Sequence, residues 1–472
     1  VVNLIDYLCL NNIPVCEDFN KFILSNVIKA DNINNNKTYL DEIMKFIIDP
    51  QYRIATKIYL LKHIVNPMCY YNANRNGDYQ ITKFNEEPAE WLRIVGDKIW
   101  KSWHDDAKLE SCDVDKFRIE LLQLTSLLVT YYPDAVVGWK REIIKFNWNF
   151  IGLEDNITKQ AAYMSTVYFI RVFNTPPKIV IQIFVALLKA NQNDVRFMVR
   201  QSLDLLAPYL NEKMGDDREW LNWTRRILSE EGFVVTQVSN IYQFIVNHSD
   251  LFYSSRDQFF PNIITAMGKL TIINNSATEN QILAIDLAEL ILNWEAQAKK
   301  EIEDEKVKVN ESDSMDVDQV DEAKENNTGK EDTMDIDKPE EANNITHNIE
   351  NKSPIIYSVP LGQRDTCITF LIRYVCICPQ RASENELGRR ALNILHILLA
   401  PGFWPDVSIK LSFFEKFLVN TDSSVSNMLV YCLNALEVLN ITLEWKTSDW
   451  IISNLSQLQK LLEKCIKSNN HE

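Results

Sequence analysis

Apolar residues recur along this chain at spacings of three and four, the period that lines one face of an α-helix. Residues 18–30 read DFNKFILSNVIKA and place Phe19, Phe22, Ile23, Val27 and Ile28 on one side. The same period returns over 52–65, 117–131, 137–150, 159–173, 177–190, 195–210, 219–229, 236–247, 260–273 and 280–295. A second block holds 363–376, 384–399, 408–419, 424–439 and 449–466. The pattern predicts roughly sixteen helices of about 11–18 residues, joined by short turns of Asn, Asp, Pro and Gly. No run alternates as a half-buried strand would. The best candidate, PIIYSVP at 354–360, reads as an extended lead-in.

Helices on short connections must lie antiparallel, and a run this long cannot share one core. A stack of helix pairs is the economical solution. Residues 194–206, DVRFMVRQSLDLL, align with 424–436, SVSNMLVYCLNAL. The match keeps Val195/Val425, Met198/Met428, Leu203/Leu433 and Leu206/Leu436 identical and keeps a small residue at Ser202/Cys432. An Asp-Val-Arg opening followed by apolar residues at helical spacing is the inner-helix pattern of HEAT repeats. Pro176 and Pro177 suit the start of the preceding helix, where a missing N–H costs nothing. Asp194 is expected to cap the helix that follows.

Charge changes the picture in one place. Of the net −16 over 472 residues, −13 falls between positions 301 and 350, with 18 acidic and 5 basic residues. That stretch holds no Leu, Phe, Tyr, Trp or Cys, so burial cannot offset the entropy of ordering it. It repeats a phrase, Met315-Asp316-Val317-Asp318 and Met334-Asp335-Ile336-Asp337. It reads as a solvated linker, or as an acidic docking tail for a basic partner such as histone. The expected organisation is an all-α, right-handed HEAT/armadillo-type α-solenoid of antiparallel helix pairs. It would occupy 1–300, give way to a disordered acidic linker at 301–352, and continue over 353–472. The near-neutral remainder lacks the basic surface that coats nucleic acid. Only 11 glycines are present, which argues against glycine-lined phosphate loops.

The search for chemistry is negative. Cys9, Cys16, Cys69, Cys112, Cys367, Cys376, Cys378, Cys432 and Cys465 form no C-x-x-C pair and read as buried thiols of a reducing compartment. His63, His104, His248, His347, His396 and His471 include no i, i+4 metal pair. His104-Asp105-Asp106 is a local cluster of potential ligands and reads as a cap or a surface feature. His248-Ser249-Asp250 has triad residue types, but sequence neighbours cannot line up as a triad; it reads as a helix end followed by a cap for 251–253. No G-x-S-x-G, Walker or kinase-loop motif occurs, and Glu230-Glu231 reads as an exposed turn. Trp220 and Trp223 are expected to face together, as packing between helix pairs or as an aromatic groove for partner helices. Lys140, Arg141 and Lys145, and Arg225 with Arg226, read as solvated helix faces, or at most as a small docking site for an acidic peptide. No catalytic, cofactor or metal residues are expected, and the partner-binding residues are unassigned. The longest apolar runs are about six residues, far below the roughly 18 that span a bilayer, and no signal peptide is expected. The chain opens on Val1, not Met, and reads as a piece of a longer one.

Residues 131–150, YYPDAVVGWKREIIKFNWNF, resemble the TRRAP family, giant scaffolds of the PIKK superfamily whose kinase-like domain is catalytically dead. So do 175–208, TPPKIVIQIFVALLKANQNDVRFMVRQSLDLLAP. Residues 223–270 join them with WTRRILSEEG, IYQFIVNHSDLFY and FFPNII, as do 280–295, NQILAIDLAELILNWE. The resemblance covers about 165 residues in order, from about 131 to 295, and is weaker over 1–85 and 353–472. It implies a segment of a long HEAT-type solenoid shared by SAGA and nucleosomal histone H4 acetyltransferase complexes. It implies a nuclear, non-enzymatic transcription coactivator and chromatin regulator that binds transcription activators and other complex subunits. No cofactor, membrane, small-molecule ligand or direct nucleic-acid readout is expected. The abundance of Asn is compatible with a fungal source. A nuclear transport receptor, or a segment of an active PIKK kinase, are the alternative readings.

Overall fold

The computed structural model describes residues 2–29, 33–74, 89–102, 112–214, 218–232, 234, 238–272, 278–315, 357–418 and 428–467. Among the described residues there is no strand, and twenty-three α-helical segments follow one another. They divide into two compact units, Val1–Ser254 and Ser255–Glu472.

The first unit begins with α1 (Val2–Leu10), α2 (Glu17–Ile23), α3 (Ile33–Ile48), α4 (Ile54–Leu60), α5 (Asn66–Asn74) and α6 (Glu90–Ile94). It continues with α7 (Cys112–Tyr131), α8 (Pro133–Val136), α9 (Lys140–Ile151), α10 (Asn156–Val172) and α11 (Pro177–Lys189). It ends with α12 (Arg196–Met214), α13 (Glu219–Glu231), α14 (Ser239–Asn247) and α15 (Ser249–Tyr253). Helices α1, α3, α5, α6, α8 and α15 lie outside the sixteen predicted runs. The signal of α3 was present: Leu40, Ile43, Met44 and Ile47 are buried at helical spacing, but a run of asparagines diluted it.

Local chemistry explains the helix ends and irregularities. Pro133 and Pro177 each open a helix. The Asp155 carboxylate accepts from the Thr158 N–H at 2.7 Å and caps α10. Asp194 does not act as the expected cap; it lies inside a 3-10 turn, Asn193–Val195, that leads into α12. Helices α4 and α5 are joined by a π-helical turn, Leu61–Val65. Pro67 follows it. Proline has no N–H to donate and its ring crowds the carbonyl four residues back, so the ladder widens just ahead of it.

Helix α7 packs on α4, α5 and α10, and α10 packs in turn on α9, α11 and α12. Helix α11 meets α13, and α12 meets α14. Each helix thus meets its hairpin partner and the equivalent helix of the next pair, the neighbour pattern of a solenoid. Trp220 is fully buried, edge-on to Phe184 at 6.2 Å and to Phe252 at 5.3 Å. Two buried polar contacts cross between helices. The Trp100 indole donates to Thr125 Oγ1 at 3.0 Å, and the Tyr132 hydroxyl donates to the Cys69 carbonyl at 2.8 Å.

The second unit holds α16 (Arg256–Ile272), α17 (Thr278–Met315), α18 (Leu361–Cys376), α19 (Glu386–Leu399), α20 (Ser412–Leu418), α21 (Met428–Trp445), α22 (Ser448–Ser453) and α23 (Leu455–Lys467). Helix α16 packs on α17 and α18, α17 on α19, and α18 on both α19 and α21. The acidic stretch therefore interrupts this unit and does not separate the two. Helix α17 runs well past the expected end at 295, through the first part of that stretch. It contains no Gly or Pro, and its Glu and Lys are good helix formers. Residues 316–352 lie outside the described residues. Of the lead-in at 354–360, residues 357–360 are described and non-helical. There Tyr357 packs on Phe260 with centroids 5.7 Å apart, and Val359 is buried.

The repeat alignment holds only in part. Leu203 and Leu206 are buried, whereas Leu433 and Leu436 are half-buried and the neighbouring Asn434 and Ala435 are fully buried. Asn434 explains the shift. Its amide accepts from the Ala382 N–H at 2.8 Å and donates to the Cys378 and Gln380 carbonyls at 3.2 and 3.1 Å. In the first unit Asn240 on α14 plays this part, donating to the Ala190 carbonyl at 3.2 Å and accepting from Arg200 at 3.1 Å.

Candidate docking groove

The first unit carries an open groove of about 630 Å³. One wall is the π-turn and α5, with Lys62, Asn66 and Tyr70. The floor and second wall come from α7 and α10, with Leu127, Tyr131, Met164 and Tyr168; Met198 of α12 closes the far side. Tyr70 and Tyr131 stand 52% and 40% exposed at the rim, their rings edge to face at 5.8 Å.

The sequence of α7 makes this wall. From Leu121 to Tyr131 it carries no charged residue, and on α10 neither does the run Gln160 to Ile170. The hydroxyls of Thr125 and Ser126 donate to the carbonyls of Leu121 and Leu122, each at 2.8 Å. These hydroxyl protons are satisfied within their own helix, while the Thr125 oxygen also accepts from the Trp100 indole.

Lys62 is the only charged residue on the groove surface among the described residues. Behind it, burial pushes the Glu120 carboxyl up from its ordinary value. The hydrogen bond from Asn66 at 2.9 Å and the charge of Lys62 partly offset that rise. Burial, then the Lys62 charge, hold His63 below its ordinary value.

The second unit has a groove of about 450 Å³ along α17, α18 and α19, bordered by Ile282, Tyr374, Ile377, Leu387 and Arg390. Arg390 donates to Asp286 at 2.7 Å and also to the Glu289 carboxylate. Burial pushes the Tyr374 phenol up to about 12.

The residues singled out from sequence scatter. His104, Asp105 and Asp106 lie outside the described residues. His248 faces Asp204 at 2.9 Å, not its neighbours Ser249 and Asp250. Ser249 is the first residue of α15, and the residue before that helix, His248, offers no side-chain cap. Trp220 and Trp223 do not share a face: Trp220 is core, while Trp223 is half-buried, donates to Glu219 and lies under Arg226. Lys140 covers the Phe173 ring at 4.5 Å, and Arg141, Lys145 and Arg225 are exposed. Glu230 pairs with Arg226 and Glu231 with Lys189. Cys69, Cys367, Cys376 and Cys378 are buried, and burial pushes the first three thiols up to about 12. Cys9 and Cys432 are half-buried, and Cys16 is exposed, contrary to the expectation of uniform burial. Among the described residues no three His, Cys, Asp or Glu are placed to hold a metal ion, and no helix is long and apolar enough to cross a membrane. The groove residues were missed. The available signal was the charge-free run of α7 with Gln, Ser and Thr among its apolar positions.

The family model of the Tra1 HEAT repeat ring region matches residues 1–472. The chain belongs to the Tra1 HEAT-ring family. It is 39% identical over 476 residues to the SAGA complex/NuA4 acetyltransferase complex subunit TRA1 of Saccharomyces cerevisiae, covering 100% of this chain and 12% of the yeast protein. It is 32% identical over 380 residues to the probable transcription-associated protein 1 of Dictyostelium discoideum, covering 75% of this chain and 8% of that one. Against the human transformation/transcription domain-associated protein the identity is 26% over 447 residues, covering 89% of this chain and 12% of the human protein. The chain thus spans about an eighth or less of these relatives. Family membership extends the resemblance found over 131–295 to both ends of the chain and sets aside the transport-receptor reading. It also fixes the architecture as an all-α HEAT solenoid. Within this Tra1-type segment, the two grooves run along helices of successive repeat hairpins.

Proposed function

We propose that this chain is a segment of a non-catalytic scaffold in a nuclear transcription coactivator. In this reading it docks transcription activators and other subunits and helps bring histone acetyltransferase complexes to chromatin. The observation that carries the reading is the family match across all 472 residues, together with relatives named as SAGA and NuA4 acetyltransferase subunits. The mechanism is recruitment. A surface that holds an activator and an acetyltransferase complex together raises the effective concentration of the enzyme at a promoter.

Affinity purification of the parent protein, with identification of co-purifying subunits, tests this directly. Acetyltransferase subunits are expected in the eluate, and their absence overturns the reading. Magnesium-dependent ATP turnover by the parent protein would instead favour an active kinase.

A further inference from the structure

We infer that three π-helical turns in the first unit are one-residue insertions that keep buried stripes of four-residue period on the core, and that the unit flexes at these turns.

The turns are Leu24–Ile28 after α2, Leu61–Val65 between α4 and α5, and Val95–Trp100 after α6. In each, a backbone bond reaches five residues back. The Lys29 N–H donates to the Leu24 carbonyl and the Lys101 N–H to the Gly96 carbonyl, both at 3.0 Å, and the Asn66 N–H donates to the Leu61 carbonyl. Such turns make up well under about 1% of residues in globular proteins, yet three follow one another in the opening part of one unit.

The spacing of buried positions supplies the cause. Thr56, Leu60, Ile64, Met68 and Asn72 are all buried and stand four residues apart, and Leu61, Val65 and Cys69 repeat the step. The pairs Trp91/Leu92, Val95/Gly96 and Ile99/Trp100 keep the same interval. So do Phe19, Ile23 and Val27, of which Ile23 is buried and the other two half-buried. An α-helix closes a turn in 3.6 residues, so a strict four-residue step drifts about 40° around the axis each time. From Thr56 to Asn72 the drift would reach about 160° and carry the stripe off the core. A turn closed by a five-back bond takes in more residues and winds the stripe back. Helix α7 shows the opposite case. Its buried pairs Leu121/Leu122, Leu124/Thr125 and Leu128/Val129 step by three and then four, and it is α-helical throughout. Helix α11 does the same with Val180/Ile181, Ile183/Phe184 and Leu187/Leu188.

Flexing follows from the bonding. The pattern changes at both ends of a π-turn, and moving the segment beyond it by one residue, about 1.5 Å and 100°, restores the α pattern. Kinks in helices concentrate at such bulges. Beyond Leu61–Val65 lies α5, whose Asn66 donates to Glu120 at 2.9 Å and whose Tyr70 meets Tyr131 at 5.8 Å. That one turn therefore sets which side chains α5 presents to α7.

Hydrogen exchange read by mass spectrometry on the intact chain, with and without single deletions, tests this. In the native chain, amides over 61–66 and 96–101 are expected to exchange at least about tenfold faster than those over 121–129 of α7. Deleting Lys62, exposed within its turn, leaves the buried pairs three apart there and should restore a continuous α-helix. The melting temperature should stay within about 3 °C of the native one, and exchange over the former turn should slow about tenfold. Deleting Gln123, exposed on α7, turns the rest of that helix about 100° from its packing and should lower the melting temperature by more than about 10 °C. Equal damage from the two deletions, or equal tolerance of them, overturns the insertion reading. Native exchange over 61–66 as slow as over 121–129 overturns the flexing.

Discussion

The two grooves are built from the same parts and finished differently. In the first unit Lys62 is the one charged residue on the groove surface among the described residues, and its charge acts on the half-buried Glu120 carboxyl behind it. In the second unit Arg390 stands at the groove edge, held by Asp286 and Glu289 from the neighbouring helix. Helix packing alone produces a recess in both. What separates them is how the rim charge is met, by two direct ion pairs in one and by a carboxyl behind the surface in the other. Direct ion pairs tie two helices together at the second rim, whereas the first rim carries a single charge matched from behind.

The contrast can be broken from its structural side first. Leu203 is buried on α12, the helix that also carries the groove residue Met198. Leu203→Asp places a carboxylate there without a partner. A loss of several kcal/mol is expected, read as lost helicity in thermal melts followed by circular dichroism. A neutral outcome would place Leu203 at the surface.

A smaller effect is expected at Gly96. A Cβ there would come within 2.2 Å of the Trp139 ring, which also packs on Trp100 at 6.3 Å. Gly96→Ala should cost about 1–3 kcal/mol by overpacking. An unchanged melting temperature would mean that the partly exposed Trp139 ring simply swings away.

Arg390→Leu tests whether charge holds the second groove. Two carboxylates lose their shared donor, and the group is 30% exposed, so about 1 kcal/mol of destabilisation is expected in denaturant titrations. The corresponding change in the first unit, Lys62→Leu, should leave stability within about 0.5 kcal/mol. Equal losses would erase the distinction between the two rims.

The smallest expected effect is a pH dependence. Burial raises the pKa of Glu295, against the hydrogen bond from the Trp404 indole and the charges of Arg364 and Arg256. A carboxyl with a raised folded pKa binds its proton more tightly in the native state. Native stability therefore falls as pH climbs from the ordinary Glu value, about 4.3, through the folded value. Glu295→Gln removes this loss. The variant should gain on the native sequence as melts move from about pH 4 to neutrality, and a difference independent of pH would show that Glu295 titrates normally.

Much of the fold was legible, and the reasons are specific. Helix α11 was readable because Pro177 marks its start and the run Val180 to Leu188 keeps a strict helical period. Helix α3 was passed over because its buried face is short and follows an asparagine run. Helix α17 outran its expected end because negative charge alone does not stop a helix that lacks Gly and Pro. The absence of familiar catalytic motifs could be read directly, since each requires fixed residue types at fixed spacing. The groove could not be read that way, because no motif marks it.

Two pairs of residues show where the sequence stops. Tyr131 and Tyr132 are neighbours with the same side chain. One stands at the groove rim; the other is buried and donates to Cys69 from sixty-three positions earlier. Trp220 and Trp223 share a helix at helical spacing, yet one is core and the other lies under Arg226. The chain by itself determined that helices form, roughly where most begin and end, that acidity concentrates in one stretch, and that this is a Tra1-type HEAT solenoid. Only the tertiary structure decided which strip of each helix is covered and which is left facing a recess. Periodicity fixes a side chain's angle about its own helix axis, but desolvation belongs to the neighbours packed around it.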